Sequence, residues 1–294
     1  MREIELRSGR RGQANPNATI YGKTPQRRRA PARAPVSLMP GPIAEPMPPS
    51  PQPRFLPAGD TALVVEFGDR VDRTLSGLVL ALARRLEEAA IPGLVEMVPT
   101  FRSLMVHYDP LQLGEAQLKG RVAPLLDGLE AAESAGRRWR IPACYDASLG
   151  LDLTDVAERT GLSVAEVARR HSGALHHIYM MGFLPGLPYL GGLPPEFELP
   201  RRENPRIKVP SGAIAVAMSM TVVYPLESPG GWHILARTPA PLWDMRRNPP
   251  ALLAAGDTVT FEPVSLREYE ALLAQAAAGE LRLSPEPAPR EQRA

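Results

Sequence analysis

Between Gly182 and Trp232 the chain reads GFLPGLPYLGGLPPEFELPRRENPRIKVPSGAIAVAMSMTVVYPLESPGGW. No long helix can run through this stretch. Pro185, Pro188, Pro200, Pro205, Pro210 and Pro229 fix φ and remove backbone donors every few residues. The runs Ala213–Ala217 and Thr221–Tyr224 are apolar and of strand length. Short strands joined by tight turns are what remains, and such a segment builds a shaped surface. Cations sit at its centre. Arg201, Arg202, Arg206 and Lys208 fall within eight residues, in a segment held extended by proline. The arginine fork and the lysine point charge suit a carboxylate or a phosphate. The competing reading is a solvated basic loop, or one that pairs with acids of a partner. Glycine-rich loops flank the cations, and Gly182, Gly186, Gly191 and Gly192 can bring backbone N–H groups to an anion, which favours anion or partner binding. With their heads in solvent, Arg201 and Arg206 are expected to matter for binding and not for stability.

The rest of the chain sets the frame. Its 294 residues suffice for two ordinary domains after tails are discounted, and 44% hydrophobic content is enough to bury a core. A formal net charge of +2 gives no global field for nucleic acid. The single cysteine, Cys144, excludes an intrachain disulfide and fits a reducing compartment. No apolar run reaches the roughly 18 residues of a membrane span, and the N-terminus lacks the apolar core of a secretory signal. These features together read as cytoplasmic. Residues 1–53 are rich in Pro, Arg and Ala and read as a disordered tail, in preference to a basic arm touching RNA or an acidic partner. Met39 and Met47 are alternative candidate starts of translation. Residues 281–294 read as a frayed tail.

Periodicity divides the middle into two parts. In residues 54–135, a strand over Ala62–Phe67, a helix over Thr74–Ala90, strands over Leu94–Pro99 and Leu104–Tyr108 and an amphipathic helix over Gly114–Glu133 suggest an α+β layer, ferredoxin-like if a further strand closes it. In residues 139–280, a strand over Arg140–Tyr145 precedes two helices. Asp152 is placed to cap the first, Leu153–Thr160, which Gly161 stops, and Ser163 with Glu166 to form a capping box for Val164–Ser172. Strands then follow over Leu175–Met181, Ala213–Met218, Val222–Pro225, His233–Thr238 and Thr258–Pro263, before a last helix capped by Ser265 and Glu268. That spacing fits a barrel or a sandwich.

Bond-making chemistry is sparse. His176 and His177 are adjacent in a strand and point to opposite faces, so they cannot share one metal without distortion. No His, Cys and carboxylate spacing matches a zinc pattern. His171, at the end of a helix, is the histidine expected nearest the GFLPG loop and is a candidate general base; its competing role is to cap the helix dipole. There is no G-x-S-x-G elbow and no G-x-x-x-x-G-K-[ST] loop. Cys144 reads as a buried strand residue. Phe183, Tyr189 and Trp232 could wall a pocket or plug a barrel end. The strip Met218, Met220 and Val222 fits either a partner interface or barrel interior.

The motifs GFLPGLPYLGGLP, PRR, PR-x-KVPSGAIAVA and TVVYPLESPGGWHILARTP, in that order, resemble the carboxyltransferase-domain, subunit 1 family over roughly Phe55–Val264. That family includes the B subunit of 5-oxoprolinase, allophanate hydrolase subunit 1 and Kip-type inhibitors of a sporulation histidine kinase. The resemblance implies a small α/β N-terminal domain, which the element order makes ferredoxin-like, followed by a cyclophilin-like β-barrel. At matching positions it adds His171, Gly182, Phe183, Pro185, Gly186, Tyr189, Pro200, Arg201, Pro205, Arg206, Pro210, Gly212, Tyr224, Pro225, Pro229, Gly230, Gly231 and Trp232 as candidates. It also shows departures. The family commonly has Gly-Ser-Val-Ala-Ile-Ala-Gly where this chain has Gly212 to Met218, and Gln-Thr-Gly at Met220 to Val222. The activity implied is the ATP-dependent opening of 5-oxoproline to glutamate, with ATP as cosubstrate, a small carboxylate or amide as substrate and a subunit-C (carboxyltransferase subunit 2) partner. The chain alone would be inactive. The family equally holds a carboxyltransferase subunit of a biotin-dependent urea carboxylase system and a non-enzymatic kinase inhibitor.

Overall fold

The structure is a computed structural model that describes residues 53–131 and 136–286. The tail expected over 1–53 therefore falls outside it, except for Pro53, as does 287–294. The first layer is a four-stranded antiparallel sheet built from β1 (Arg54–Pro57), β2 (Ala62–Glu66), β3 (Leu94–Pro99) and β4 (Ser103–Tyr108), in the order β1-β2-β4-β3. Helix α1 (Arg73–Ala89) covers one face, its start capped by Asp72, whose carboxylate accepts from the Thr74 and Leu75 N–H groups. Leu75, Leu78, Val79, Leu82 and Leu86 enter a core with Leu63, Val65, Leu104, Val106 and Leu118. The strand that completes the ferredoxin-like sheet comes from before β2, as a hairpin with it, and not from after the last helix. The second helix is shorter than its apolar pattern suggests. Helix α2 (Glu115–Val122) continues only as a 3-10 turn over Ala123–Leu126. Pro124 has no N–H to donate and its ring crowds the preceding turn, which explains the break.

The second layer is a seven-stranded sheet. Its strands are β5 (Arg138–Ala143), β6 (His176–Met181), β7 (Pro188–Gly191), β9 (Ala213–Ala217), β10 (Met220–Val223), β12 (His233–Arg237) and β13 (Thr258–Pro263). They lie in the order β12-β9-β10-β7-β6-β13-β5. Just past β5, the Cys144 N–H donates to the Arg237 carbonyl at 2.8 Å and the Arg237 N–H returns the bond at 3.0 Å. These bonds join the two outermost strands, so the sheet curls into a nearly closed barrel. A separate pair, β8 (Arg206–Val209) and β11 (Ser228–Gly230), lies outside that sheet. Helices α3 (Leu153–Thr160) and α4 (Val164–Gly173) pack together, and α5 (Leu266–Ala278) closes the described chain behind a Ser265–Glu268 capping box. Gly161 ends α3 at φ 68°, a left-handed position that suits glycine.

Two caps differ from expectation. Asp152 precedes α3 but makes no side-chain cap. Its carboxylate is turned toward arginines instead. Ser163 does cap α4, but Glu166 pairs with Arg169 and Arg170 rather than closing a box. Met220 and Val222 are 6% and 2% exposed and sit among Ala213, Ala215 and Ile234, so that part of the apolar strip is interior to this chain, whereas Met218 is exposed in the β9–β10 turn. Cys144 is buried as expected, and burial pushes its thiol pKa up. At the other end of the layer, Glu286 pairs with Arg138 and Arg140 and so ties the start of the expected frayed tail to β5.

Candidate functional site

The Gly/Pro-rich segment wraps one flank of the barrel and leaves a cavity of about 310 Å³. β7 contributes Tyr189, β10 contributes Val222 with Tyr224 just beyond it, and the residue before β12 is Trp232. The β6–β7 loop adds Phe183 and Leu187, and the loop before β8 adds Arg201 and Pro205. Tyr189 and Trp232 meet edge to face, with centroids 6.2 Å apart. Arg201 lies over the Trp232 ring at 5.8 Å. Phe183 is 67% exposed at φ 68°, an unfavourable conformation for an aromatic residue, and stands at the rim. Gly230 is required by close approach: a Cβ there would fall 2.4 Å from the Tyr224 hydroxyl. The result is an apolar floor, aromatic walls, two phenols and one guanidinium.

The electrostatics follow from this packing. Burial raises the pKa of Tyr224 to about 12, with Tyr189 adding to the rise and Arg201 opposing it. Burial also raises Tyr189, again against Arg201. Both phenols are therefore protonated donors at neutral pH. Neither hydroxyl has a hydrogen-bond partner among the described residues.

The four cations do not act as one strip. Arg202 and Arg206 both donate to Asp152, which is 3% exposed and also accepts the Ile234 N–H at 2.7 Å. Their heads are therefore tied to the protein, and that of Arg206 is not free in solvent as expected. Lys208 is exposed and pairs with Glu227 at 3.3 Å, away from the cavity. Only Arg201 reaches the pocket without an ion-pair partner among the described residues. Asp152 instead fixes the frame: the Arg202 N–H donates to the Gly231 carbonyl at 2.8 Å, so the arginine segment and the Gly230–Gly231 loop move as a unit.

Among the glycines and prolines, Gly230, Gly231, Pro205 and Pro229 line the cavity. Gly186 packs beneath the loop against Trp243, while Pro185 is exposed on its surface. Gly182 closes the loop's base by donating to Leu187.

His171 is not brought to the loop. It is fully buried, its Nδ1 2.7 Å from the Tyr145 hydroxyl and its Nε2 3.2 Å from Thr221 Oγ1, with its ring stacked on Phe261. Burial holds its pKa well below the ordinary value, with His176 adding to the effect. The reason is helical phase: His171 is four residues after Val167, on the face of α4 that packs into the core. With both nitrogens occupied in the interior, it fits a structural role. His176 and His177 do face opposite ways, toward His171 and toward Ser76 of α1. Among the described residues no His, Cys, Asp and Glu group could hold a metal.

Sequence reasoning misses Phe101 and the pivotal place of Asp152. Phe101, in the β3–β4 turn, packs on Tyr189 at 5.8 Å and on Tyr179 at 6.0 Å, so the first layer supports the pocket wall from behind. An aromatic in a turn of otherwise polar residues is its one signal.

The family model for the carboxyltransferase domain, subdomains C and D, matches residues 53–253. The chain belongs to the carboxyltransferase C and D domain family. A relative named as the B subunit of 5-oxoprolinase, from Bacillus subtilis, is 37% identical over 224 residues, covering 72% of this chain and 93% of its own length. Another of that name from Escherichia coli O157:H7 is 36% identical, covering 70% of this chain and 93% of itself. The crystal structure of the K. lactis urea amidolyase matches at TM-score 0.69 and 20% identity over 83% of this chain, which spans 17% of that one. That likeness shows the fold: an α+β chain with a ferredoxin-like first layer and a cyclophilin-like barrel.

Proposed function

We propose that this chain is the B subunit of an ATP-dependent 5-oxoprolinase, working with a subunit-C partner to open 5-oxoproline to glutamate. The observation that carries the reading is the 37% identity to a protein of that name across 93% of its length. The cavity fits the substrate's chemistry. 5-Oxoproline is a small flat lactam ring bearing one carboxylate. The ring lies on Leu187 and Val222 between Tyr189 and Trp232, and the carboxylate pairs with Arg201, the one guanidinium there without a carboxylate of its own. The Tyr224 hydroxyl, kept protonated by burial, donates to the lactam oxygen.

Opening an unstrained amide needs activation. Transfer of a phosphoryl group from ATP to the lactam oxygen makes the ring carbon electrophilic. Water then adds to that carbon and the C–N bond breaks as the nitrogen takes a proton, leaving an acyl phosphate, which a second water hydrolyses to the carboxylate and free phosphate. This chain's residues bind, orient and desolvate the ring. The nucleotide and the attacking water belong to a site completed by the second subunit.

Co-expression of the two subunits, followed by an assay of 5-oxoproline-dependent ATP hydrolysis, tests the proposal. Activity of the pair, and none from either chain alone, is expected. Hydrolysis by this chain alone, or biotin-dependent carboxylation of urea in place of lactam opening, would count against it. The relatives described above lend no support to a kinase inhibitor.

A further inference from the structure

A second cavity, of about 430 Å³, adjoins the first and shares Arg201 with it. Its character is different: Asp155, Arg159, Glu203, Asn204 and His233 line it. Arg159 is already bound to Asp155 at 2.9 Å, and Arg202 to Asp152. That leaves Arg201 and Glu203, two residues apart and of opposite charge, without ion pairs among the described residues. His233 is 2% exposed, and its ring state is constrained by the backbone. Nε2 lies 2.9 Å from the Pro200 carbonyl oxygen, which can only accept, so Nε2 carries the proton. In the neutral ring Nδ1 then presents a lone pair. That atom is buried with no hydrogen-bond partner, and Asp155 Oδ2, another acceptor, is 3.6 Å away. Two facing acceptors call for a group with several donors. Asp155 is 42% exposed, so such a group can reach its carboxylate from solvent beside Arg159, with the buried Nδ1 behind it.

We infer that this cavity binds the zwitterionic head of an open-chain α-amino acid, with its ammonium between Asp155 and His233 Nδ1 and its carboxylate on Arg201. An ammonium offers three donors and satisfies both acceptors. Glu203 lines the same cavity and adds negative charge to it. The role of the site rests on the proposed function, although binding itself does not. Lactam opening converts a ring with one carboxylate into such an amino acid. The new ammonium and the carboxylate share one carbon, so the product can swing from the aromatic cavity into the polar one while Arg201 keeps its hold. Opening frees a second carboxylate as well as the amine; the two cavities then separate substrate from product by the freed amine.

Calorimetric titration of the full chain with L-glutamate, and separately with 5-oxoproline, tests this with three variants. Asp155→Asn should weaken glutamate by roughly tenfold and Glu203→Gln by about threefold, as expected for loss of a charged hydrogen bond and of a nearby charge. Neither should change 5-oxoproline affinity, whereas Arg201→Gln should weaken both ligands. Circular dichroism confirms that each variant is folded. Glutamate should also shift the His233 Nδ1 signal in 15N spectra. Absence of glutamate binding, indifference of glutamate affinity to Asp155→Asn, or a His233 ring already doubly protonated at pH 7.5 would overturn the inference. Glutamate binding that obeys this pattern without any binding of 5-oxoproline would support the cavity and contradict the proposed function.

Discussion

At the scale of single residues, the basic segment divides into one group available to a ligand and two that hold the fold. Asp152 is the reason. A carboxylate with 3% exposure and two arginines is stable only while its partners remain. Asp152→Ala should destabilise the chain by about 3 kcal/mol or more, because two half-buried guanidiniums lose their acceptor. Arg206→Ala should cost about 1–3 kcal/mol, since Arg202 and the Ile234 N–H still serve the carboxylate. Urea denaturation measures both. A wild-type midpoint for either would mean that the ion cluster is ornamental. Met218 offers the opposite case. It sits at φ 53° in the β9–β10 turn, a region where a side chain costs about 1–2 kcal/mol and glycine does not. Met218→Gly should raise the melting temperature by a few degrees; a lowered one would show that packing of the thioether outweighs the strain.

At the scale of elements, the long periodic pieces are legible in the sequence and the short ones are not. Leu75, Leu78, Leu82 and Leu86 announce α1 because a helix of 17 residues repeats its pattern several times. Strands β7, β8 and β11 have only three or four residues each and sit between glycines and prolines, so no alternation can establish itself. Charge hides β8 further: Arg206 and Lys208 read as ligands, while their backbone pairs with β11. The pocket aromatics are legible as a set, but which arginine faces them is not. That choice depends on Asp152, about 50 residues away in the chain, and no local pattern reports it. His171 misleads because its distance from the loop in sequence is short, whereas its helical phase points inward. Strand β6 also gives the molecule a pH dependence. His176 and His177 are both pushed down to about 4, chiefly by burial, with the Arg73 charge adding to His177. In the unfolded chain each takes up its proton near 6.5. Between these limits the unfolded state binds more protons, so stability is full above pH 6.5 and falls as the pH drops toward 4. Glu166, held at about 2 by Arg169 and Arg170, is a depressed carboxylate whose contribution is lost only further down. Urea midpoints at pH 7.5, 6 and 4.5 should decline in that order; equal midpoints would contradict the buried, neutral histidines.

At the scale of the whole molecule, the two layers meet where the site is built. Phe101 reaches from the first layer onto Tyr189, and Ser76 lies 3.5 Å from His177. The first layer thus stiffens the wall against which a ring would stack. Phe101→Ala should weaken binding of a small ring compound by about 1 kcal/mol, the scale of one aromatic contact, while the barrel stays folded. The architecture is that of the carboxyltransferase C and D domain family. This chain sets an aromatic cavity, whose one guanidinium has no ion-pair partner among the described residues, against a second cavity richer in acceptors. The central claim is that Arg201, and not its two neighbours, holds the substrate carboxylate. The most direct measurement is the KM for 5-oxoproline of the assembled two-subunit enzyme carrying Arg201→Gln, taken together with the melting temperature of the variant chain. Loss of one charged hydrogen bond of about 1.5–3 kcal/mol predicts a KM raised by roughly ten- to hundredfold with the melting temperature unchanged. An unchanged KM, or a lowered melting temperature with normal KM, would contradict the account.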